Sequence, residues 1–323
     1  MPADTSDIPC SVSGAATVPM AMRPIPGRWM AGVLAASIIA VSVLMHFARL
    51  TIDPLDANTL IYGGVFAVLG TIRWVLRHPR SESARIVRDI AEYFGLFTLL
   101  SVTGALASYP IASFTHGFAD AKLHAIDLAL HFNWLGWYEA VVASPVLQVM
   151  GRVAYAMIYV SPAILLGYHA ITDQRREARD FTAAMWLAAA ITLTLYRFMP
   201  AVGPLSYLAE KPLPYVPVSD LWQSNLIPAL RAHDAPVVDL GHLVGLVSAP
   251  SFHTAAAVLL MAFGLRQRRI GALLVVINLA MLWSTVVEGT HYLSDMILGA
   301  AVALVAFGTV RLVRARMARL SAD

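Results

Sequence analysis

His291-Tyr292-Leu293-Ser294-Asp295 opens an apolar run that continues through Met296, Gly299, Val302, Leu304 and Phe307 to Leu312. A membrane-crossing helix needs about 20 consecutive, mostly apolar residues, and Tyr292–Leu312 supplies them. An ionisable pair at the head of such a run is costly in lipid and therefore marks a functional position. His291 and Asp295 lie four residues apart on one helical face, where a carboxylate meets one imidazole nitrogen and leaves the other free. A structural His–Asp hydrogen bond is the plain competing account of the pair.

Working outward, similar apolar stretches recur at Met30–Leu50, Leu60–Leu76, Ile90–Ser108, Val146–His169, Ala183–Met199, Phe252–Leu265 and Ile270–Val287. Together they predict an all-α, polytopic transmembrane bundle of about eight spans. The composition agrees: 58% hydrophobic residues, 13% charged and a mean hydropathy of +0.67 exceed what a soluble core of this length needs.

A net charge of +3 would suit a nucleic-acid binder in a soluble protein, but here the basic residues gather in short loops beside the spans. Arg73, Arg77, Arg80, Arg85 and Arg88 form one cluster, and Arg175, Arg176 and Arg179 a second. Arg266, Arg268 and Arg269 form a third, and Arg311, Arg314, Arg316 and Arg319 a fourth. Positive loops stay in the cytoplasm, so both termini are expected inside. The opposite face then receives Thr51–Thr59, Pro110–Ser144, Pro200–Ser251 and the turn at Glu288–His291. The expected setting is the inner membrane, with the chemistry on the periplasmic, extracytoplasmic face and no nucleic-acid partner.

The expected organisation is a cytoplasmic tail over 1–28, N-terminal membrane helices over 29–180, a catalytic core over 181–313 and a second tail over 314–323. Cys10 is the single cysteine and sits in the first tail, so no internal disulfide forms and thiol catalysis has no support. The first apolar segment is long and lacks a small-residue cleavage site, which reads as a retained anchor. Two outer segments are too polar to span. Residues 116–138 place Ala119, Leu123, Ile126, Leu130 and Trp134 at helical spacing beside a polar stripe of Asp120, His124, Asp127 and His131. That pattern predicts an interfacial helix with Trp134, Trp137 and Tyr138 at headgroup depth. The proline-bearing stretch from Pro200 to Pro250 predicts an irregular cover over the outer mouth of the bundle.

The remaining chemistry collects where Ala249-Pro250-Ser251-Phe252-His253-Thr254 opens another apolar helix. Proline and serine there are N-terminal signals, and a helix N-terminus offers free N–H groups and a positive dipole end to a phosphate. His253 stands in that first turn. A nucleophilic His291, an orienting Asp295 and a protonating His253 make a complete set for substitution at phosphorus. A Ser251 hydrolase lacks the flanking glycines of a nucleophile elbow. The ligand types of His253, His291 and Asp295 suit zinc, but their settings favour phosphate over a closed metal shell.

Pro250-Ser251-Phe252-His253 and His291-x-x-x-Asp295 resemble the second and third signature motifs of the type 2 phosphatidate phosphatase superfamily. The resemblance implies that His291 forms a phosphohistidine, that Asp295 supports it and that His253 protonates the departing group. Three cationic positions of the family's phosphatases are changed: Thr192 and Met199 stand for the first-motif lysine and arginine, and Ser284-Thr285 for Ser-Arg. With a first motif reduced to Pro200-x-x-Gly203-Pro204, the chain resembles the inositol-phosphorylceramide synthase and sphingomyelin synthase-like branch, an inositolphosphotransferase type. That implies transfer of a phosphoryl head group from a phospholipid or sphingolipid-like donor to a hydroxyl acceptor, with neither a metal nor an organic cofactor. Ser251, Arg197, Thr285 and Tyr292 are the candidate phosphate contacts. The competing functions are a lipid phosphatase of phosphatidate or polyprenyl diphosphate type, and a non-catalytic membrane transporter.

Overall fold

The computed structural model describes residues 25–210, 212–219 and 222–319. Cys10, most of the expected first tail and the end of the second lie outside these residues. Among the described residues the chain forms thirteen α-helices and no strand. The membrane-facing half begins with α1 (Gly27–Phe47), α2 (Ala57–Val75) and α3 (Glu82–Ser113). The outer helices α4 (Asp120–Ala129) and α5 (Trp134–Val142) follow, then α6 (Pro145–Tyr155), α7 (Met157–Ile171) and α8 (Arg175–Tyr196). The short α9 (Pro204–Leu208) and α10 (Trp222–Ala232) lead to α11 (Phe252–Gly264), α12 (Gly271–Glu288) and α13 (Leu293–Arg319).

Local signals fix many of these starts. Asp56 accepts from the amides of Asn58 and Thr59 ahead of α2, Ser81 from Ala84 ahead of α3, and Asn133 from Gly136 ahead of α5. Each satisfies amides that a helix N-terminus otherwise leaves unpaired. Ser144 with Pro145 opens α6 in the same way.

The helices are those of a multi-pass membrane protein. α1, α3, α12 and α13 are each long and apolar enough to cross a bilayer, and α6 with α7 makes a further candidate span bent by 41°. The stretches expected at Leu60–Leu76, Ala183–Met199 and Phe252–Leu265 fall on α2, α8 and α11. α11 packs against α7, α8, α12 and α13. Its small and apolar residues, among them Ala255, Ala256, Leu259, Leu260 and Phe263, are buried in the largest core cluster. A helix apolar all round belongs inside a bundle, and α11 is the post around which the site is built.

The four arginine clusters converge on one end of this bundle. Arg73 and Arg179 both pair with Glu92, Arg85 and Arg175 with Asp89, Arg266 with Glu177, and Arg314 with Asp180. The starts of α11 and α13 lie at the other end.

The outer segments differ from expectation. The single helix expected over 116–138 is two, α4 and α5, separated by a turn in which His131 takes a left-handed φ of 57°. Asp120 and Asp127, expected in the polar stripe, are buried with Leu123, while Ile126 and Leu130 are exposed. Trp134 and Tyr138, expected at headgroup depth, are buried, and the Trp134 indole donates to the Val286 carbonyl at 2.9 Å. The proline-bearing cover is not wholly irregular, since it contains α9 and the eleven-residue α10.

Candidate active site

The site grows from two helix starts tied together by backbone. Ser251 caps α11: its Oγ accepts from the Thr254 amide at 3.2 Å and the Thr254 hydroxyl at 3.1 Å. The Ser251 amide donates to the carbonyl of Asp295 at 3.1 Å, which fastens the α11 start to the first turn of α13. Gly299, one turn beyond Asp295, makes this approach possible, because a Cβ there would overlap the Ser251 carbonyl oxygen.

On α13, Tyr292 is the residue just before the helix and Asp295 stands at its third position. Asp295 Oδ2 accepts from the Tyr292 amide at 2.8 Å, the back-reaching half of a capping box. Its other oxygen, Oδ1, lies 2.9 Å from His291 Nδ1. A carboxylate only accepts, so Nδ1 carries the proton and Nε2 presents its lone pair. One aspartate therefore caps the helix and fixes the tautomer of the histidine before it. Both groups are buried, Asp295 at 0% and His291 at 3% exposure.

His253 faces this pair across a ring-centroid distance of 6.2 Å. Its own ring is stacked on Tyr155, with centroids 4.5 Å apart and an interplanar angle of 17°. The Tyr155 hydroxyl is 3.5 Å from His253 Nδ1, the outer limit of hydrogen bonding, so stacking is what orients the imidazole. Tyr155 is the last residue of α6, at the bend into α7. The bent span thus delivers an aromatic wall to the site.

His291, Asp295, His253 and Ser251 are brought together. The other expected phosphate contacts have different partners. The Thr285 hydroxyl donates to the Met281 carbonyl of its own helix at 2.7 Å, and the Tyr292 hydroxyl to Asp120 at 3.0 Å. Arg197 is the half-buried residue that follows Tyr196 as the C-cap of α8. Of the two first-motif positions that lack a cation, Thr192 is buried and Met199 packs with Leu123, Ala249 and Tyr292.

Sequence reasoning gave no role to Tyr155, Glu288, Asp120 or Asp127 in this centre. Glu288 closes α12 just before the His291 turn, accepting from the Tyr215 hydroxyl at 2.7 Å and the Val218 amide at 3.1 Å. Arg152 donates to the same Tyr215 hydroxyl at 3.0 Å. Asp120 sits on α4 beneath the first-motif loop. Burial pushes its carboxyl above the ordinary carboxylate range, while the Val202 amide, the Tyr292 hydroxyl and the Gly203 amide pull it back. The legible signal was the seven-residue spacing of Asp120 and Asp127, two turns on one face with Leu123 between them.

In comparisons with known proteins, the family model described as the PAP2 superfamily matches residues 121–309, more than half of the chain and inclusive of every residue of the His–Asp–His centre. No curated protein and no solved structure matches.

Proposed function

This chain belongs to the PAP2 superfamily, and from that premise we propose that it moves a phosphoryl head group between lipids through a phosphohistidine on His291. The observation that carries the reading is the His291–Asp295 pair: Nδ1 is held at 2.9 Å by the carboxylate, with Nε2 free and a second imidazole 6.2 Å away.

The donor is a lipid phosphodiester whose phosphoryl group lies against the α11 start. His291 Nε2 attacks phosphorus in line, forming the N–P bond as the P–O bond to the leaving alkoxide breaks. His253, as imidazolium, gives that alkoxide its proton. An acceptor hydroxyl then attacks phosphorus while neutral His253 takes its proton, the N–P bond breaks and both histidines are restored. Burial of His291 supports transfer over hydrolysis, since a phosphoryl group held there is shielded from water. With water as acceptor the same steps make a phosphatase.

The ionisable centre gathers at helix starts, which supports an enzyme over a transporter, whose sites lie near the bilayer midplane on broken helices. The reading sets the centre on the periplasmic face of the inner membrane, because the arginine-rich end of the bundle is the opposite one.

The test incubates purified protein in detergent with head-group-labelled phospholipids, with and without a lipid alcohol, beside His291→Ala. Label in a new lipid, absent with the variant, is the expected result. Label released only to water makes the enzyme a phosphatase, and no His291-dependent change with any donor overturns both.

A further inference from the structure

Helix α13 begins with a problem that its own sequence does not solve. The first amides of a helix need acceptors from outside, and the side chain of Tyr292 cannot reach back to cap them as serine or aspartate would. Asp295 covers the Tyr292 amide, and the Met296 amide bonds to the Tyr292 carbonyl at 3.1 Å. The amides of Leu293 and Ser294 are covered from another helix. Asp127 of α4 accepts from Leu293 at 2.9 Å through Oδ2 and from Ser294 at 2.8 Å through Oδ1. The Ser294 hydroxyl donates to the Leu123 carbonyl of the same helix at 3.2 Å.

Two turns earlier on the same face, Asp120 holds the first-motif loop. It accepts from the amides of Val202 and Gly203, each at 3.0 Å, and from the Tyr292 hydroxyl at 3.0 Å. Gly203 has φ +88°, and a Cβ on it would stand 2.8 Å from the Thr290 carbonyl, beside His291. The loop is thus pressed against the turn that carries the nucleophile. The two carboxylates are buried although α4 lies outside the spanning helices, and their five acceptor contacts go to residues that immediately flank His291 or belong to the Pro200–Pro204 loop.

We propose that α4 is a two-point clamp on the active centre, with Asp127 and Asp120 acting as positioning residues for His291. Asp127 fixes the axial start of α13, and with it the Tyr292 to Asp295 turn that sets the imidazole. Asp120 fixes Tyr292 from its side chain and locks the first-motif loop over the Thr290 turn. Neither carboxylate need touch substrate. The catalytic consequence rests on the phosphotransfer reading of His291; the geometric one does not.

The experiment compares full-length wild type, Asp127→Ala, Asp120→Ala and Leu34→Ala, the last a core residue of α1 that sets what lost stability alone does. Two readouts are taken. The first is the rate at which diethyl pyrocarbonate modifies His291, followed by peptide mass spectrometry and independent of any substrate. The second is kcat and KM with the labelled lipid donor. Release of the turn is expected to raise His291 modification severalfold in both aspartate variants and not in Leu34→Ala. Loss of orientation is expected to lower kcat by about 10²-fold with KM within about twofold of wild type, the pattern of an interaction felt in the transition state.

Where an alanine variant does not fold, Asp127→Asn keeps one acceptor for the two amides and falls between wild type and alanine on both scales. His291 reactivity matching the Leu34→Ala control in every aspartate variant that folds overturns the clamp. A wild type that turns over no lipid overturns the phosphotransfer reading, and the modification rates then decide the clamp by themselves.

Discussion

At His291 the proposed chemistry depends on which ring nitrogen keeps its proton. Asp295 fixes that choice, so Asp295→Asn removes the acceptor that selects Nδ1–H and presents an amide able to favour the wrong tautomer. Turnover in Asp295→Asn is expected to fall by at least about 10²-fold with the protein still folded, as read by labelled-lipid turnover and thermal unfolding. His291→Ala removes the nucleophile and is expected to abolish turnover. His253→Ala is expected to lose about 10²–10⁴-fold, the range of a positioned general acid. Either histidine variant with wild-type turnover would remove the mechanism. Thr285 makes a useful contrast. The resemblance in sequence sets it where the family's phosphatases carry an arginine, yet its hydroxyl is bonded to the Met281 carbonyl within its own helix. Thr285→Ala is therefore expected to keep turnover within about threefold and to cost about 1 kcal/mol of stability, the ordinary worth of one such bond. A large loss of turnover with unchanged KM would give Thr285 a part in the chemistry.

At the scale of elements, the centre is a junction of two helix starts, and its tolerance is set by how closely they approach. Gly299 is where α13 passes the Ser251 carbonyl. Gly299→Ala puts a methyl group against the Ser251 backbone and the Thr254 Cβ, which no rotamer change relieves. The expected cost exceeds the about 1–3 kcal/mol of ordinary overpacking, and turnover is expected to fall in the fraction that still folds, because α11 and α13 separate and His253 recedes from His291. Wild-type stability and turnover in this variant would mean that the Ser251–Asp295 contact does not set the site. The helix starts and the His–Asp spacing were legible because they depend on local chemistry: a capping serine, an i, i+4 pair, an apolar run of sufficient length. The α4 clamp was not, and the reason is physical. Residues 116–138 were read as an amphipathic helix lying in the interface, in which the polar stripe of Asp120 and Asp127 faces water. Against lipid the exposed face is content to be apolar, so Ile126 and Leu130 turn out and Asp120 and Asp127 turn in to meet amides that no other group satisfies. Tyr155 was illegible for a different reason, since its contact with His253 spans 98 residues and depends on the bend between α6 and α7.

For the whole molecule, the two ends have opposite electrostatic characters joined by α11. At the end away from the histidines, Glu92 holds both Arg73 and Arg179, and its side chain is buried. Glu92→Gln strands the buried Arg179 charge there, while the more exposed Arg73 keeps contact with solvent. The substitution is expected to destabilise the bundle by about 3–5 kcal/mol, the cost of breaking one side of a buried pair, while turnover per folded molecule is unchanged, because the centre lies at the far end. α11 itself sets the depth of that centre. Its 13 residues rise about 20 Å against a hydrocarbon core of about 30 Å. On the proposed orientation Arg266 lies on the cytoplasmic side and His253 toward the outer side, and α11 is too short to fill the core by itself. This geometry commits to an orientation. In a Cys10→Ser background, His242→Cys places a thiol on the exposed outer segment before α11, and Arg268→Cys places one on the exposed link after it. In spheroplasts a membrane-impermeant maleimide is expected to label the first directly and the second only after permeabilisation. The reverse pattern would turn the bundle over and move its phosphoryl chemistry to the cytoplasmic leaflet, while labelling of both without permeabilisation would mean that α11 does not separate two compartments.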